Sequence, residues 1–418
     1  MSDTTYYTSK CGLKCIFVSR PGFIGKYAGI GLHFGSAHQR YYKDGEYIES
    51  KSGIAHFLEH KAFLMEDGHD ALLDFDLLNA EANAYTTHEQ TIYYFKTNDR
   101  IEEPLRLLIH MFFTKGFTKE NIDSEKPIII SEYEEVFDEV DRRIHAEAFN
   151  LLYPNDPYSK EILGTKEDIL SMSYSDLDLA FQSFYTPKNS ILTIVGDIKI
   201  EELEALIEEE LSPFEFKDVD IKQVPFIESK EPLLPKVIYE DIPYPEVHIL
   251  GRIKELDYHT PLIPNKMIAL FDSLFCVEAA FFKELERKNL LLLDDIECSI
   301  SSHEYGTYYC LDAYTNDPEK LVSLIIDKLK NLSIQDFNKE ISMATIKSYK
   351  SDCIRALDSI SYIGDETLSL AIEGPGYDEE KRVLLSTTED DLLAYIPYVK
   401  ESKLTYLIAL PKNVGKSK

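Results

Sequence analysis

Along the first 200 residues the spacing of apolar positions changes several times, and each change marks an element. β-rich runs at Cys15-Ile16-Phe17-Val18 and Ala28-Gly29-Ile30-Gly31-Leu32-His33-Phe34 flank the turn signal Pro21-Gly22, which predicts two strands. From Ser52 to about Glu66, Ile54, Phe57, Leu58 and Phe63 fall at helical spacing, with Ser52 placed to cap the start. A helix near Asp70–Ala80 and a strand from Ala82 to Lys96, rich in Thr, Tyr and Ile, are expected next. Ile101–Thr114 has an amphipathic helical pattern, and Ser124 to Leu152 reads as one long helix that stops before Pro154. A helix over Tyr174–Phe184 and a strand over Ser190–Val195, ending at Gly196-Asp197, close an α+β unit.

Residues 214–235 lose periodicity: charges alternate with Pro225, Pro232 and Pro235, as in a linker. Strand-like runs then return at Val237–Tyr239 and Val247–Leu250, followed by helices at about Asn265–Arg287, Glu319–Asn331 and Asn338–Tyr362 and a last strand over Leu404–Leu410. The order of elements repeats that of the first part. It predicts an α+β chain of two similar halves, residues 1–213 and 236–418, joined by the linker.

Composition narrows the class. With 44% hydrophobic and 28% charged residues the chain has the balance of a soluble globular protein. No apolar run approaches the roughly 20 residues that span a bilayer. The polar start, Met1 to Lys14, lacks the apolar core of a secretion signal, so a cytoplasmic protein with no transmembrane segment is expected. A net charge of −30 argues against nucleic acid, whose phosphates need Lys and Arg. The charge fits either a solvated acidic surface or an acidic interior that attracts basic peptides. Six cysteines in a chain this long do not make a disulfide scaffold. Cys11 and Cys15, four apart on a predicted strand, read as reduced structural thiols rather than a metal clamp.

The segment Ser52-Gly53-Ile54-Ala55-His56-Phe57-Leu58-Glu59-His60-Lys61 carries the candidate chemistry. Four residues apart on a helix, His56 and His60 project from one face and can grip one cation. Glu59, on the same side, can take a proton from a metal-activated water without displacing a ligand. His-x-x-Glu-His is the inverzincin order. Catalytic zinc usually has three protein ligands, and the predicted helix from Ser124 offers Glu125 and Glu132, seven apart and so on one face. Ile128, Ile129 and Val136 could anchor that helix. Spacing alone leaves open which of the two carboxylates would bind the ion and which would orient a histidine.

These residues resemble the pitrilysin family of metallopeptidases, which includes insulin-degrading enzyme and the mitochondrial processing peptidase. Gly53–His60 is similar to the family's first signature, and Asn83-Ala84-Tyr85-Thr86-Thr87-His88-Glu89-Gln90-Thr91-Ile92-Tyr93-Tyr94 to the strand after it. Ile162–Thr165, Phe184–Asn189 and Val195–Asp197 are similar to the end of its catalytic domain. The resemblance implies zinc held by His56, His60 and Glu132, with Glu59 as general base and Glu125 as a supporting catalytic residue. It implies an enclosed chamber built from two halves, each an α/β sandwich unit with an antiparallel-rich mixed sheet and helices on one side. It also implies that a peptide substrate pairs with the strand carrying Asn83, Ala84 and Tyr85.

One departure bears on partners. Family members often carry an Arg and a Tyr in a later domain that hold the substrate carbonyl. The matching run, Leu285-Glu286-Arg287-Lys288-Asn289-Leu290-Leu291-Leu292-Leu293-Asp294-Asp295, has Glu at the Arg position and no Tyr, and Tyr305, Tyr308, Tyr309 and Tyr314 fall outside the pattern. A heterodimer in which a homologous chain supplies the pair is therefore expected. The expected activity is zinc endopeptidase on short or unfolded peptides, precursors of ribosomally made peptides among them. The competing readings are a non-catalytic assembly subunit and a peptide-binding chaperone.

Overall fold

The computed structural model describes residues 4–154, 156–224, 233–256, 263–293, 295–303 and 306–412. Pro225, Pro232, Asp294 and Tyr305 lie outside these residues. The chain folds as two compact units. One comprises Met1–Glu135, Lys160–Pro225 and Arg355–Asp378; the other comprises Val136–Ser159, Phe226–Ile354 and Glu379–Lys418. Two segments therefore fall outside the halves that a cut at 214–235 would give.

In the first unit, strands β1 (Thr4–Thr8), β2 (Lys14–Ser19), β3 (Lys26–Leu32), β6 (Ala80–Thr86), β7 (Thr91–Thr97) and β8 (Ser190–Gly196) form a sheet of order β1-β2-β8-β3-β7-β6. A small sheet joins β4 (Arg40–Lys43) to β5 (Glu46–Glu49) and to β9 (Ile221–Gln223). Alternation along β3 decides what covers each face of the main sheet. Ala28, Ile30 and Leu32 are fully buried on one side. On the other, Gly29 and Gly31 let helix Ile360–Glu373 approach closely: a Cβ would lie 2.9 Å from Leu368 at Gly29 and 2.7 Å from Ile372 at Gly31. This helix adds a cover on the face opposite that carrying helix Ile54–Ala62.

In the second unit, β10 (Lys236–Glu240), β11 (Glu246–Ile253), β12 (Glu297–His303), β13 (Gly306–Tyr314) and β14 (Lys403–Pro411) form a sheet of order β10-β14-β11-β13-β12. Its pairings run parallel, antiparallel, antiparallel, antiparallel. That is the sequence of pairings in β2-β8-β3-β7-β6 of the first unit. The expected two-part, antiparallel-rich α+β fold is thus present. Val247 and Ile249 of β11 enter the second unit's core with Phe282, Leu285, Leu311, Leu321 and Val399. Helix Val140–Leu152 lies against β11 and β14.

Several elements differ from the pattern in the sequence. Ala82–Lys96 is a hairpin, β6 and β7, because residues 87–90 turn the chain. The long helix breaks at Glu139, whose backbone is extended, into Lys119–Asp138 and Val140–Leu152. Asn265–Arg287 is likewise two helices, Ile263–Phe275 and Ala280–Arg287. The start of the expected linker belongs to the first unit: Phe214 and Phe216 pack on Phe113, and β9 pairs with β4. Periodicity reports which face of an element is buried, and neither where it breaks nor which sheet it covers.

At the end of its helix, Glu373 is held up to about 8 from its ordinary 4.5 by burial and by the charge of Glu89. The folded chain therefore keeps a proton that the unfolded chain releases. The associated stability is complete below about pH 4.5 and is lost as pH rises through about 8. A Glu373→Gln variant should melt with the wild type near pH 4 and at a higher temperature near pH 9; equal melting at both would remove this role.

Candidate metal centre

Helix Ile54–Ala62 is positioned by its start. Ser52 does not cap it: the cap position is Gly53, at φ 76°, with no side-chain cap bond. The Ser52 hydroxyl instead donates to Asp168 and accepts from the Thr165 amide at 3.1 Å. Gly53 lies against the backbone of Leu163 and Gly164, so the segment 162–165 fixes where the helix begins. Ile54, Ala55, Phe57 and Leu58 are buried, which directs the remaining face, with His56, Glu59 and His60, toward β6 and helix Lys119–Asp138. In the latter helix Ile122 and Ile129 are the buried anchors; Ile128 is 56% exposed and Val136 only half-buried.

The rings of His56 and His60 lie 4.6 Å apart, centre to centre. Both Nε2 atoms face one carboxylate: His56 Nε2 is 3.5 Å from Glu132 Oε1 and His60 Nε2 is 3.3 Å from Glu132 Oε2. One ligand atom from each of the three residues lies within 4.8 Å of the other two. Glu125 sits behind, accepting from His60 Nδ1 at 3.1 Å and from the Lys61 ammonium. Glu59 Oε2 accepts a 2.5 Å hydrogen bond from the Thr86 hydroxyl of β6. Thr86 and Lys61 are the residues that motif reasoning passed over. The signals for them were slight: Lys61 directly follows His60, and Thr86 is two residues from Ala84 and so on the same strand face.

The donor set fits zinc. Two imidazoles and a carboxylate are ligands zinc commonly takes. With Nδ1 of His60 donating to Glu125, the lone pair is on Nε2, the atom that faces Glu132. Three carboxylates against the Lys61 ammonium leave an excess of two negative charges, which a divalent cation cancels. Without a metal, burial opposes charging His60, but its hydrogen bonds to Glu125 and Glu132 prevail and hold it up to about 9. The same two histidines hold Glu132 well below the usual carboxylate range.

Of the candidate substrate residues, β6 brings only one toward this centre. Ala84 shares the face of Thr86, whereas Asn83 and Tyr85 point to the opposite face, where the Tyr85 hydroxyl donates to Asp365 at 2.9 Å. β6 is the edge strand of its sheet, with the main-chain groups of Ala82, Ala84 and Thr86 turned outward and the Ala84 amide donating to Asn83 Oδ1 at 2.8 Å.

Glu125→Gln is expected to weaken zinc binding ten- to a hundredfold, as loss of an orienting partner does. It also leaves Lys61, 5% exposed, without its carboxylate, a loss of about 3 kcal/mol of stability for a broken buried pair. Competition with a chromophoric chelator measures the first effect; unchanged affinity would reduce Glu125 to a partner of Lys61 alone.

Among families, the model described as insulinase, peptidase family M16, matches residues 41–166, and that described as the peptidase M16 inactive domain matches residues 171–348. The chain is 27% identical over 433 residues to an uncharacterized zinc protease, YmfH, of Bacillus subtilis, covering 99% of this chain and 98% of the relative. It is 32% identical over 161 residues to the probable mitochondrial-processing peptidase subunit beta of Schizosaccharomyces pombe, covering 38% and 35% of the two chains. Among solved structures, a putative M16-like peptidase from Alicyclobacillus acidocaldarius superimposes with a TM-score of 0.88 at 24% identity, over 98% of both chains. A protease from Helicobacter pylori does so at 0.79 and 18% identity, covering 98% of this chain and all of that one.

Proposed function

Because the chain belongs to the insulinase-type peptidases of family M16, we propose that it is a zinc-dependent endopeptidase, with His56, His60 and Glu132 as metal ligands. The observation that carries this reading is the convergence of two Nε2 atoms and a carboxylate beside the Glu59 carboxylate, which is not one of the three converging groups. When bound, zinc supplies Lewis acidity and lowers the pKa of water. Glu59 takes the proton of the attacking water and returns it to the departing amine. Thr86 holds the Glu59 carboxylate, and Glu125 fixes the tautomer of His60.

The substrate is an extended or unfolded peptide, a precursor's leader segment among them, that adds to the β6 edge through backbone bonds. The outward main-chain groups of Ala82, Ala84 and Thr86 make this pairing, because those of Asn83 and Tyr85 are turned toward β7. A homologous chain supplies the Arg and Tyr that residues 285–295 lack. In support, Arg287, one place out of register, spends its Nε on the Lys283 carbonyl of its own helix. A cytoplasmic setting suits six cysteines that form no disulfide among the described residues. No helix among the described residues is long and apolar enough to cross a membrane.

The test is hydrolysis of a quenched unstructured peptide by the zinc-loaded chain, alone and with a homologous chain bearing the Arg/Tyr pair. Cleavage should be abolished by a chelator, restored by zinc, and accelerated by at least a hundredfold by the partner, the scale of an oxyanion-stabilising group. Full activity alone would sink the partner; bound zinc with no metal-dependent cleavage in either case would favour a non-catalytic subunit.

A further inference from the structure

The second unit holds another convergence of metal-binding side chains, built on different elements. On β11, Val247 and Ile249 face the core, so Glu246 and His248 face the other way, toward helix Val140–Leu152. Asp312 is the cross-strand neighbour of His248 on β13 and accepts from His248 Nδ1 at 2.6 Å. His145, exposed on the helix, places its ring 5.5 Å from that of His248. One ligand atom from each of His145, His248 and Asp312 lies within 4.8 Å of the other two.

Two features set this group apart from a surface ion pair. The His248 side chain is 6% exposed, yet its Nε2 atom has no hydrogen-bond partner. Glu246 Oε1, 3.5 Å away, is also buried and unbonded. This buried imidazole nitrogen and buried carboxylate oxygen meet only as a 3.5 Å ion pair, with no hydrogen bond to either, which leaves both able to take a cation. The residues also line a cavity of about 290 Å³, into which Asp141, Asp295 and Glu297 bring further negative charge. A water occupies about 30 Å³, so the space accommodates an ion together with coordinated solvent.

We propose that His145, His248 and Asp312, with Glu246 in reach, form a second divalent-metal site, selective for a zinc-class transition ion. Two imidazoles favour zinc, cobalt, nickel or copper over magnesium or calcium, which prefer all-oxygen shells. The ion bridges helix Val140–Leu152 to β11 and β13 of its own unit, and solvent completes its coordination.

The experiment titrates the full-length apo chain with Zn²⁺ and Co²⁺, against Mg²⁺ and Ca²⁺ as comparators. Wild type should take up two zinc ions. The His56→Ala/His60→Ala chain should retain one, with a visible cobalt band indicating nitrogen ligation. Adding His145→Ala, an exposed helical position where alanine keeps the fold, should weaken that remaining site at least tenfold and change the band; Asp312→Asn should act similarly. The proposal is overturned if the His56→Ala/His60→Ala chain binds no zinc, or if its zinc is indifferent to both further changes. Failure of the peptidase centre would look different: one zinc in wild type, insensitive to His56 and His60 but lost with His145.

Discussion

Glu59→Gln is expected to slow peptide hydrolysis by about a thousandfold or more while the chain keeps its full complement of zinc. The amide matches the carboxylate in size, and its oxygen can still accept from Thr86, which bonds Glu59 Oε2 at 2.5 Å. What it lacks is a site to accept the proton of water, a contribution of roughly 10² to 10⁴ in rate. The loss should fall on kcat with KM little changed, because nothing in the geometry gives Glu59 a part in holding the peptide. Zinc measured by mass spectrometry alongside kinetics separates the possibilities. A variant that loses zinc would make Glu59 a ligand; one that keeps both zinc and rate would remove it from the chemistry.

Gly53→Ala should cost about 3 kcal/mol of stability or more, with the metal centre disturbed as a result. Two effects combine there. At φ 76° the residue is in the left-handed region, where a side chain costs about 1–2 kcal/mol. A Cβ would also sit 2.0 Å from the carbonyl oxygen of Leu163, a backbone atom that cannot rotate away. Gly22→Ala isolates the first effect, since Gly22 has φ +83° and nothing within 4 Å of the added carbon. Thermal unfolding of the two variants should show a small loss for Gly22→Ala and a much larger one for Gly53→Ala. Equal losses would mean that the helix start yields to the intruding methyl.

The candidate turn is legible because its residues lie within one helical period: spacing alone puts His56, Glu59 and His60 on one side of the helix. Glu132 needed more, since the sequence offers Glu125 at the same helical phase; the coordinates show Glu132 against both Nε2 atoms and Glu125 against Nδ1 of His60. Thr86 and Lys61 were hidden because hydroxyls and lysines are common and their partners here are set by tertiary packing. The two-part fold was visible in the repeated order of strands and helices. The hairpin within Ala82–Lys96 was not, because its connection lacks Gly and Pro. The second cluster left no trace either: His248 and Asp312, 64 residues apart, meet only through strand register.

The assignment of Arg355–Asp378 to the first unit has a consequence for biosynthesis. Tyr27 packs against Gly364, so the N-terminal sheet, complete only at Gly196, waits for more than 160 further residues before the helix starting at Ile360 covers one of its faces. A ribosome adding about 5–20 residues per second holds that face open for many seconds. During this interval the nascent chain is at its most exposed to aggregation, and a fragment ending near residue 213 would leave it so permanently.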